Sequence, residues 1–264
     1  MKEKKVNILF IGDIVGKAGR KAVNGILPML LHKKKVDLVI ANGENAAGGF
    51  GITSKIVYEL LTGPVDLLTS GNHIWDKKEI VSILEKENGL LRPANYSEDV
   101  PGNGSVVINT KTGIPVGVIN VSGRIFMDNI ECPFKVSLKE IEKLRRSTPI
   151  IIVDFHAEAT SEKEALGWFL DGRVSAVLGT HTHVQTADER ILPQNTAYIT
   201  DVGMSGSMDS VIGFKKEIII ERFTTQLPKK FEVANKNIHL QGVIITIDSS
   251  TGKATKIERI NLTE

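Results

Sequence analysis

Five short runs rich in Val, Ile and Leu recur along the chain, and longer segments with helical spacing separate them. Runs that are apolar at nearly every position are typical of strands that helices cover on both faces. The alternation predicts β-α-β units and an α/β protein. The five runs are VNILFI (6–11), VDLVIA (36–41), VDLLTS (65–70), PIIIVDF (149–155) and VSAVLG (174–179).

The segments between these runs place apolar residues three and four positions apart, which is the spacing of one helix face. Glu79 stands three positions after Asp76, and this spacing predicts a capping box that opens a third helix there. The other predicted helices cover 16–35, 53–61, 137–146 and 162–170.

The middle and the C-terminal third contain further segments that resemble strands. Because no linker, low-complexity tract or internal repeat is visible, we expect a single domain over 1–264. Its expected fold is a sandwich of two mixed β-sheets flanked by helices. The further segments are SVVINT (105–110), PVGVINV (115–121), KEIIIERF (216–223), LQGVIITID (240–248) and KATKIERI (253–260).

Side chains that can bind a metal stand at or just after the end of each of the first five runs. The carboxyl ends of the strands in an open α/β sheet line one crevice, so we expect these side chains to converge. Four of the six histidines belong to this set, whereas His32 and His239 are expected to be structural. The candidate ligands are Asp13, Glu44, Asn72, His156, His181 and His183, with Asn45 and His73 beside them.

Carboxylate, amide and imidazole ligands without a thiolate favour iron, manganese or zinc at a catalytic site. Six candidates exceed what one four-coordinate ion requires, but two ions that share a carboxylate would use them all. Two metals roughly 3.5–4 Å apart are the usual clamp for hydrolysis of a phosphate ester. The residues therefore favour a hydrolase that acts at phosphorus.

Each candidate also has an ordinary structural interpretation. Asp13 alone could cap a helix, Asn45 could simply turn the chain before AAGGFG, and His156 could be a hydrogen-bonded core residue. Six such coincidences at strand ends are a weaker explanation than one shared site.

Seven strings around these residues carry a family resemblance: IGDIVGKAGR (11–20), NGENAAGGFGIT (42–53), TSGNHIWDK (69–77), LRPANY (91–96), VDFHAEATSEKEALG (153–167), GTHTHVQTADERILP (179–193) and TDVGMSGSMDSVIGF (200–214). They resemble the calcineurin-like metallophosphoesterases, and within them the YmdB-like 2′,3′-cyclic-nucleotide 2′-phosphodiesterases. Val15, Glu44 and Ile74 depart from the general superfamily pattern, and the YmdB-like branch shares all three departures. The resemblance runs essentially from end to end.

The resemblance implies a role for each candidate. Asp13 and His183 would hold one metal, and Asn72, His156 and His181 would hold the second. Glu44 would bridge the two ions, and a bridging hydroxide would attack the phosphorus. Asn45 would bind a phosphate oxygen, and His73 would protonate the departing ribose oxygen. The metal would be iron, with manganese or zinc as alternatives, and Arg92, Phe50 and 204–206 would shape the nucleotide pocket.

Composition restricts the class of partner. Lys and Arg total 33 and Asp and Glu total 31, so a net charge of +2 gives no basic footprint for duplex nucleic acid. The lone cysteine, Cys132, fits a reducing cytoplasm, and no apolar run is long enough to span a membrane. We expect a cytoplasmic protein whose partner is a small cyclic nucleotide or an RNA-derived phosphate ester, with homo-oligomerisation left open.

Three alternatives stay open at the level of sequence. The same site could act on a different phosphate ester, because loops and not folds decide the substrate. The chain could be a regulatory protein whose metal site is mainly structural. A zinc amidohydrolase is less well supported, because those barrels usually carry their His-x-His at the first strand and here the pair is His181 and His183.

Overall fold

The computed structural model describes residues 5–263. Their strands are β1 (Lys5–Ile11), β2 (Asp13–Ile14), β3 (Leu38–Asn42), β4 (Leu67–Thr69), β5 (Ser105–Asn109), β6 (Pro115–Ser122), β7 (Ile151–His156), β8 (Ala176–Thr180), β9 (Arg190–Ile191), β10 (Ala197–Ile199), β11 (Met204–Ser207), β12 (Ile238–Asp248) and β13 (Ala254–Thr263). Their helices are α1 (Gly16–Lys33), α2 (Ser54–Leu61), α3 (Ile80–Leu84), α4 (Pro133–Arg145), α5 (Thr160–Phe169) and α6 (Lys216–Thr225), with a 3-10 helix at Asn72–Asp76.

The strands form two mixed sheets, as the sequence predicts. The first sheet has the order β2-β11-β12-β1-β3-β4, and β13 pairs with β12. The second has the order β5-β6-β7-β8-β10-β9. Helices α1 and α2 cover the outer face of the first sheet, and α4 and α5 cover that of the second. The predicted α/β sandwich flanked by helices is confirmed.

Alternation along β1 shows how the layers are held together. Val6, Ile8 and Phe10 point into the apolar layer between the two sheets, whereas Leu9 and Ile11 point towards the helices. All five side chains are fully buried. Because successive side chains of a strand face opposite ways, a strand covered on both faces has to be apolar throughout. This is the physical origin of the runs seen in the sequence.

The prediction of a strand at KEIIIERF (216–223) was wrong, because these residues lie in helix α6. Three consecutive isoleucines imitate a buried strand, but within α6 only Ile219 is buried, and Ile220 and Phe223 are exposed. No described strand pairs with this segment. Without such a partner, the high helix propensity of its Lys and Glu residues decides the local structure.

The predicted capping box at Asp76 and Glu79 is also absent. Asp76 ends the 3-10 helix and contacts His73, while Glu79 accepts hydrogen bonds from the backbone and hydroxyl of Ser54 at 2.8 and 3.2 Å. Glu79 therefore binds the first turn of α2, a helix that precedes it in the chain. No helix formed by the described residues is long and apolar enough to cross a membrane.

Candidate metal centre

The candidate ligands meet at one edge of the sandwich, where strands of both sheets end. Asp13, Glu44 and Asn72 follow β1, β3 and β4 of the first sheet, and His156, His181 and His183 end or follow β7 and β8 of the second. The side chains of Asp13, Glu44 and His156 have no exposed surface. The crevice predicted from strand ends therefore lies between two sheets and draws on both.

The period of two along the strands explains how the sheets supply these groups. Ile152 of β7 points into the layer between the sheets, so Asp154 and His156, two and four positions on, point the same way. Asn42 at the end of β3 has the matching orientation, and its Nδ2 donates to Asp154 Oδ2 at 3.1 Å. The two sheets are thus joined by a buried hydrogen bond directly below the candidate ligands.

Nε2 of His156 lies at the centre of the cluster. It lies 3.0 Å from Glu44 Oε1, 3.1 Å from Asn72 Oδ1 and 3.0 Å from His181 Nδ1. Ligand atoms of Glu44, His156 and His181 all lie within 4.8 Å of one another and could hold a metal ion. Four ligand-type atoms, from Glu44, Asn72, His156 and His181, therefore converge on one point.

Asp13 and His183 lie beside this cluster. Oδ2 of Asp13 accepts a hydrogen bond from the backbone N–H of His181 at 3.1 Å. Oδ1 of Asp13 is fully buried and has no hydrogen-bond partner, although His183 Nε2 lies 3.8 Å and His156 Nδ1 3.9 Å away. A buried carboxylate oxygen without a donor is unfavourable unless a cation takes the donor's place.

Neighbouring groups orient two of the imidazoles. Nδ1 of His183 lies 2.9 Å from the carbonyl oxygen of Ile212, to which it donates, so Nε2 keeps its lone pair on the side of Asp13. Nε2 of His181 lies 3.0 Å from Glu158, so Nδ1 keeps its lone pair on the side of His156. Fixing a tautomer through the second ring nitrogen is characteristic of histidines that bind metals.

His156 is oriented through a relay. The hydroxyl of Thr180 donates to Asp154 Oδ1 at 2.8 Å and lies 2.9 Å from His156 Nδ1, from which it can accept. Nε2 of His156 then faces Glu44. Asp154, Thr180 and Glu158 are not among the candidates predicted from the sequence; the one signal for them is the acidic residue inside the apolar run 149–155.

The buried charges are strongly coupled. Burial opposes protonation of His156, but Glu44 and Asp13 outweigh it and raise the pKa of His156 to about 9. Burial alone would raise the pKa of Glu44, but the charge and hydrogen bond of His156 lower it to about 2. Burial, together with the charge of His156, lowers the pKa of His181 to about 3. Burial also raises the pKa of Asp13 above its ordinary value.

These observations fit a metal site. The donor set contains carboxylate, amide and imidazole groups, the imidazole lone pairs point inward, and one buried carboxylate oxygen lacks a partner. Without a cation, the proton on His156 is the charge that balances Glu44. A metal ion can replace that proton, since metal binding and deprotonation of ligands are linked.

His73 lies in the 3-10 helix just beyond the cluster. Its backbone N–H donates to Glu44 Oε2 at 3.2 Å, and its Nδ1 lies 3.0 Å from Asp76 Oδ2. A cavity of about 310 Å³ opens next to it. The cavity is lined by Glu44, Asn45, Gly49, Phe50, His73, Glu158, His181, Thr182, His183, Ile212 and Phe214.

Asn45 lies between the two groups of ligands. Its Nδ2 donates to Glu44 Oε1 at 2.9 Å and lies 3.1 Å from His183 Nε2. Phe50, one of the residues expected to shape a nucleotide pocket, lines the cavity. Arg92 does not line it, because its guanidinium is buried against the carbonyl oxygens of Pro93, Val100 and Pro101. Residues 204–206 lie in β11, and none of them lines the cavity.

Known proteins place the chain in a family. The family model of the YmdB-like proteins matches residues 9–260, nearly the whole length of the chain. The chain belongs to the YmdB-like family. This confirms the resemblance read from the sequence strings.

Relatives of this YmdB-like chain include a Bacillus subtilis (strain 168) protein named 2′,3′-cyclic-nucleotide 2′-phosphodiesterase. It is 52% identical over 255 residues, which cover 97% of this chain and 96% of the relative. A crystal structure described as a novel phosphatase from Mycoplasma pneumoniae superposes with a TM-score of 0.91 at 38% identity, covering 99% and 95% of the two chains. A hypothetical protein from Thermus thermophilus also gives 0.91, at 40% identity, covering 98% and 100%.

Proposed function

We propose that this YmdB-like chain is a metal-dependent phosphodiesterase that hydrolyses 2′,3′-cyclic nucleotides to nucleoside 3′-phosphates. The observation that carries the proposal is the convergence of six candidate ligands from two sheets beside a cavity lined by His73; three of them, Glu44, His156 and His181, could together hold a metal ion. The name of the B. subtilis relative, 2′,3′-cyclic-nucleotide 2′-phosphodiesterase, at 52% identity, supports the substrate class.

The proposal assigns two metal ions to the cluster. Asp13 and His183 would hold one ion, Asn72, His156 and His181 the other, and Glu44 would contact both. Bound there, the metal supplies Lewis acidity that activates water and neutralises charge on the phosphoryl oxygens. We propose iron because the resemblance implies it, and manganese or zinc as alternatives because this mixture of ligands suits all three.

His73 is proposed as the general acid. Asp76 occupies its Nδ1, so Nε2 is the ring nitrogen that remains to deliver a proton. Opening a 2′,3′-cyclic phosphate to the 3′-phosphate breaks the bond between phosphorus and the 2′ oxygen. That oxygen is a poor leaving group and needs a proton as it departs, and an imidazole can supply it near neutral pH.

Asn45 is proposed to bind a phosphate oxygen. Its amide now donates to Glu44 and lies within hydrogen-bonding distance of His183 Nε2. When those ligand atoms bind metal, their lone pairs no longer accept from the amide. The amide can then donate to a phosphoryl oxygen in the adjoining cavity. Because both sheets supply ligands, we also propose that 1–264 acts as a single domain, and its cytoplasmic location stays a prediction.

The test is turnover of 2′,3′-cyclic AMP by the purified chain, with metal content measured on the same sample. About two metals per chain and release of adenosine 3′-phosphate are expected, and His73→Ala should lose turnover while it keeps its metal. Asp13→Ala should lose both. Release of the 2′-phosphate would overturn the assigned bond cleavage. Turnover of other phosphate esters alone would keep the site and change the substrate, and a metal-free, inactive chain after reconstitution would overturn the proposal.

A further inference from the structure

Three phenylalanines form a cluster beside His73. The ring of Phe50 lies 5.1 Å from the imidazole of His73, with the two planes at 68°. Phe50 also stacks on Phe214 at 5.1 Å and on Phe231 at 6.2 Å. Phe50 and Phe214 line the cavity directly. An apolar, aromatic wall therefore adjoins the proposed general acid.

The loop around Phe50 is built for close approach. Gly49 and Gly51 flank it with φ angles of 97° and 72°, in the region that favours glycine. A Cβ atom on Gly49 would lie 2.6 Å from the ring of Phe214. Gly49 thus brings the backbone against Phe214, and Gly51 brings it against His73 and Asp76, so that the half-buried ring of Phe50 is held at the cavity.

Ile212 contributes a second apolar surface to the same cavity. Its φ angle is 47°, which is strained for a β-branched residue, and its side chain is about half exposed. Its carbonyl oxygen accepts from His183 Nδ1, so a proposed ligand holds the strained turn in place. Strained residues that their surroundings hold in place are concentrated at ligand clamps and active sites.

We propose that the nucleobase of the substrate packs on Phe50 and against Ile212. The inference rests on the proposed function, because it takes the ribose oxygen to lie at His73. The base is attached to the ribose next to the carbon that carries the 2′ oxygen, so it falls close to the aromatic wall. Stacking of a base on an aromatic side chain is favourable whichever base is present, because every base has a π face.

The remaining polar groups of the cavity have other partners. Glu158 contacts His181, and Thr182 donates through its backbone and hydroxyl to Asp201. Among the described residues of the cavity wall, the apolar ones are Gly49, Phe50, Ile212 and Phe214. The side chains of this apolar part of the wall carry no donor or acceptor, so it recognises the flat surface of a base and not its edge. We therefore expect all four 2′,3′-cyclic nucleotides to be substrates, with the larger purines preferred.

The experiment compares kcat/KM on 2′,3′-cyclic AMP with kcat/KM on glycerol 1,2-cyclic phosphate, which has the cyclic diester but no base. Phe50→Ala should reduce the preference for the nucleotide roughly 5- to 150-fold, mainly through KM, which is the range measured for loss of one stacked base. Phe50→Tyr should retain the preference for the nucleotide, and Ile212→Ala should reduce that preference less than Phe50→Ala does. Phe223→Ala, which removes an exposed phenyl ring on α6, is the matched control.

Equal losses on both substrates would overturn the inference, because they would show that Phe50 only supports His73. An unchanged preference in Phe50→Ala would overturn it as well. If Phe50→Ala does not fold, Phe50→Leu removes the aromatic face and retains the apolar volume, and the same ratio decides. Failure of the proposed function looks different: the wild-type chain would then turn over neither cyclic diester.

Discussion

Oδ1 of Asp13 lies 3.8 Å from Nε2 of His183, and neither atom donates a hydrogen bond to the other. The carboxylate oxygen is buried and unpartnered, and the imidazole nitrogen keeps its lone pair because Nδ1 donates to Ile212. Two electron-rich atoms that face each other across such a gap are stabilised by a cation between them. This relationship separates a metal site from a purely structural cluster of polar residues.

Asp13→Asn should therefore lose metal without loss of fold. Only Oδ1 of the buried carboxylate lacks a donor, and the amide oxygen of an asparagine can still accept from the backbone N–H of His181. The metal-free variant should therefore be at least as stable as the metal-free parent, while metal content falls. Chelation by EDTA should lower the Tm of the parent, because bound metal stabilises the folded state, and should leave the variant unaffected. Elemental analysis and thermal unfolding measure both effects. A variant that unfolds readily yet retains its metal would show that Asp13 is structural.

Gly71→Ala should displace the candidate ligands Glu44 and His156. A Cβ atom at Gly71 would lie 2.2 Å from Cδ2 of His156 and 2.3 Å from Oε2 of Glu44, so both side chains would have to move. Displacement of ligands on this scale should reduce metal affinity or activity at least roughly 10- to 100-fold. Gly206→Ala is the control, because its nearest neighbour, Val15, lies at an ordinary 3.4 Å. Equal metal binding by the two variants would contradict the proposed ligand set.

Asp76→Asn tests the orientation of His73. The carboxylate 3.0 Å from Nδ1 holds the imidazole through that nitrogen and leaves Nε2 to donate, so its loss should reduce kcat on 2′,3′-cyclic AMP roughly 100-fold, the scale of general acid catalysis. Bis(p-nitrophenyl) phosphate should be affected much less, because p-nitrophenolate departs without a proton. Asp99→Asn, at an exposed position, is the control. Equal losses on both substrates would argue that Asp76 only stabilises the 3-10 helix.

Lys163→Met should destabilise the protein through the loop that carries the histidines. Lys163 Nζ lies 2.7 Å from Asp201 Oδ2, both are buried, and Asp201 also accepts from the backbone and hydroxyl of Thr182. Loss of the lysine leaves a buried carboxylate unpaired, at a cost of about 3–5 kcal/mol in the free energy of unfolding. Urea denaturation measures it.

The surface pair of Lys139 and Glu98 is the comparison for that variant. Both side chains are exposed, so Lys139→Met should change the free energy of unfolding far less than Lys163→Met does. Similar effects of the two substitutions would mean that the ion pair at Asp201 is solvated in solution. A lower metal content in Lys163→Met alone would connect the pair to the positions of His181 and His183.

The sequence by itself determined the layers of the fold and the composition of the candidate site. Val6 to Ile11 and the four later runs are apolar because each strand is covered on both faces, and that constraint is visible in the residues alone. The same runs indicated where polar groups end the strands, so Glu44 and His156 could be placed at one edge before any contact was known. The family strings added the individual roles, which stay predictions.

Tertiary structure decided the partners of those groups. Asp76 has the spacing of a helix cap, yet it contacts His73. KEIIIERF contains three consecutive isoleucines, as a buried strand can, yet no described strand pairs with it and it forms α6. The contacts of His156 with Thr180 and of His183 with Ile212 join residues 24 and 29 positions apart. The local pattern of residues determines which face of a strand a side chain occupies. The group that the side chain contacts depends on how the two sheets pack, and residue spacing along one strand does not encode the distance between sheets.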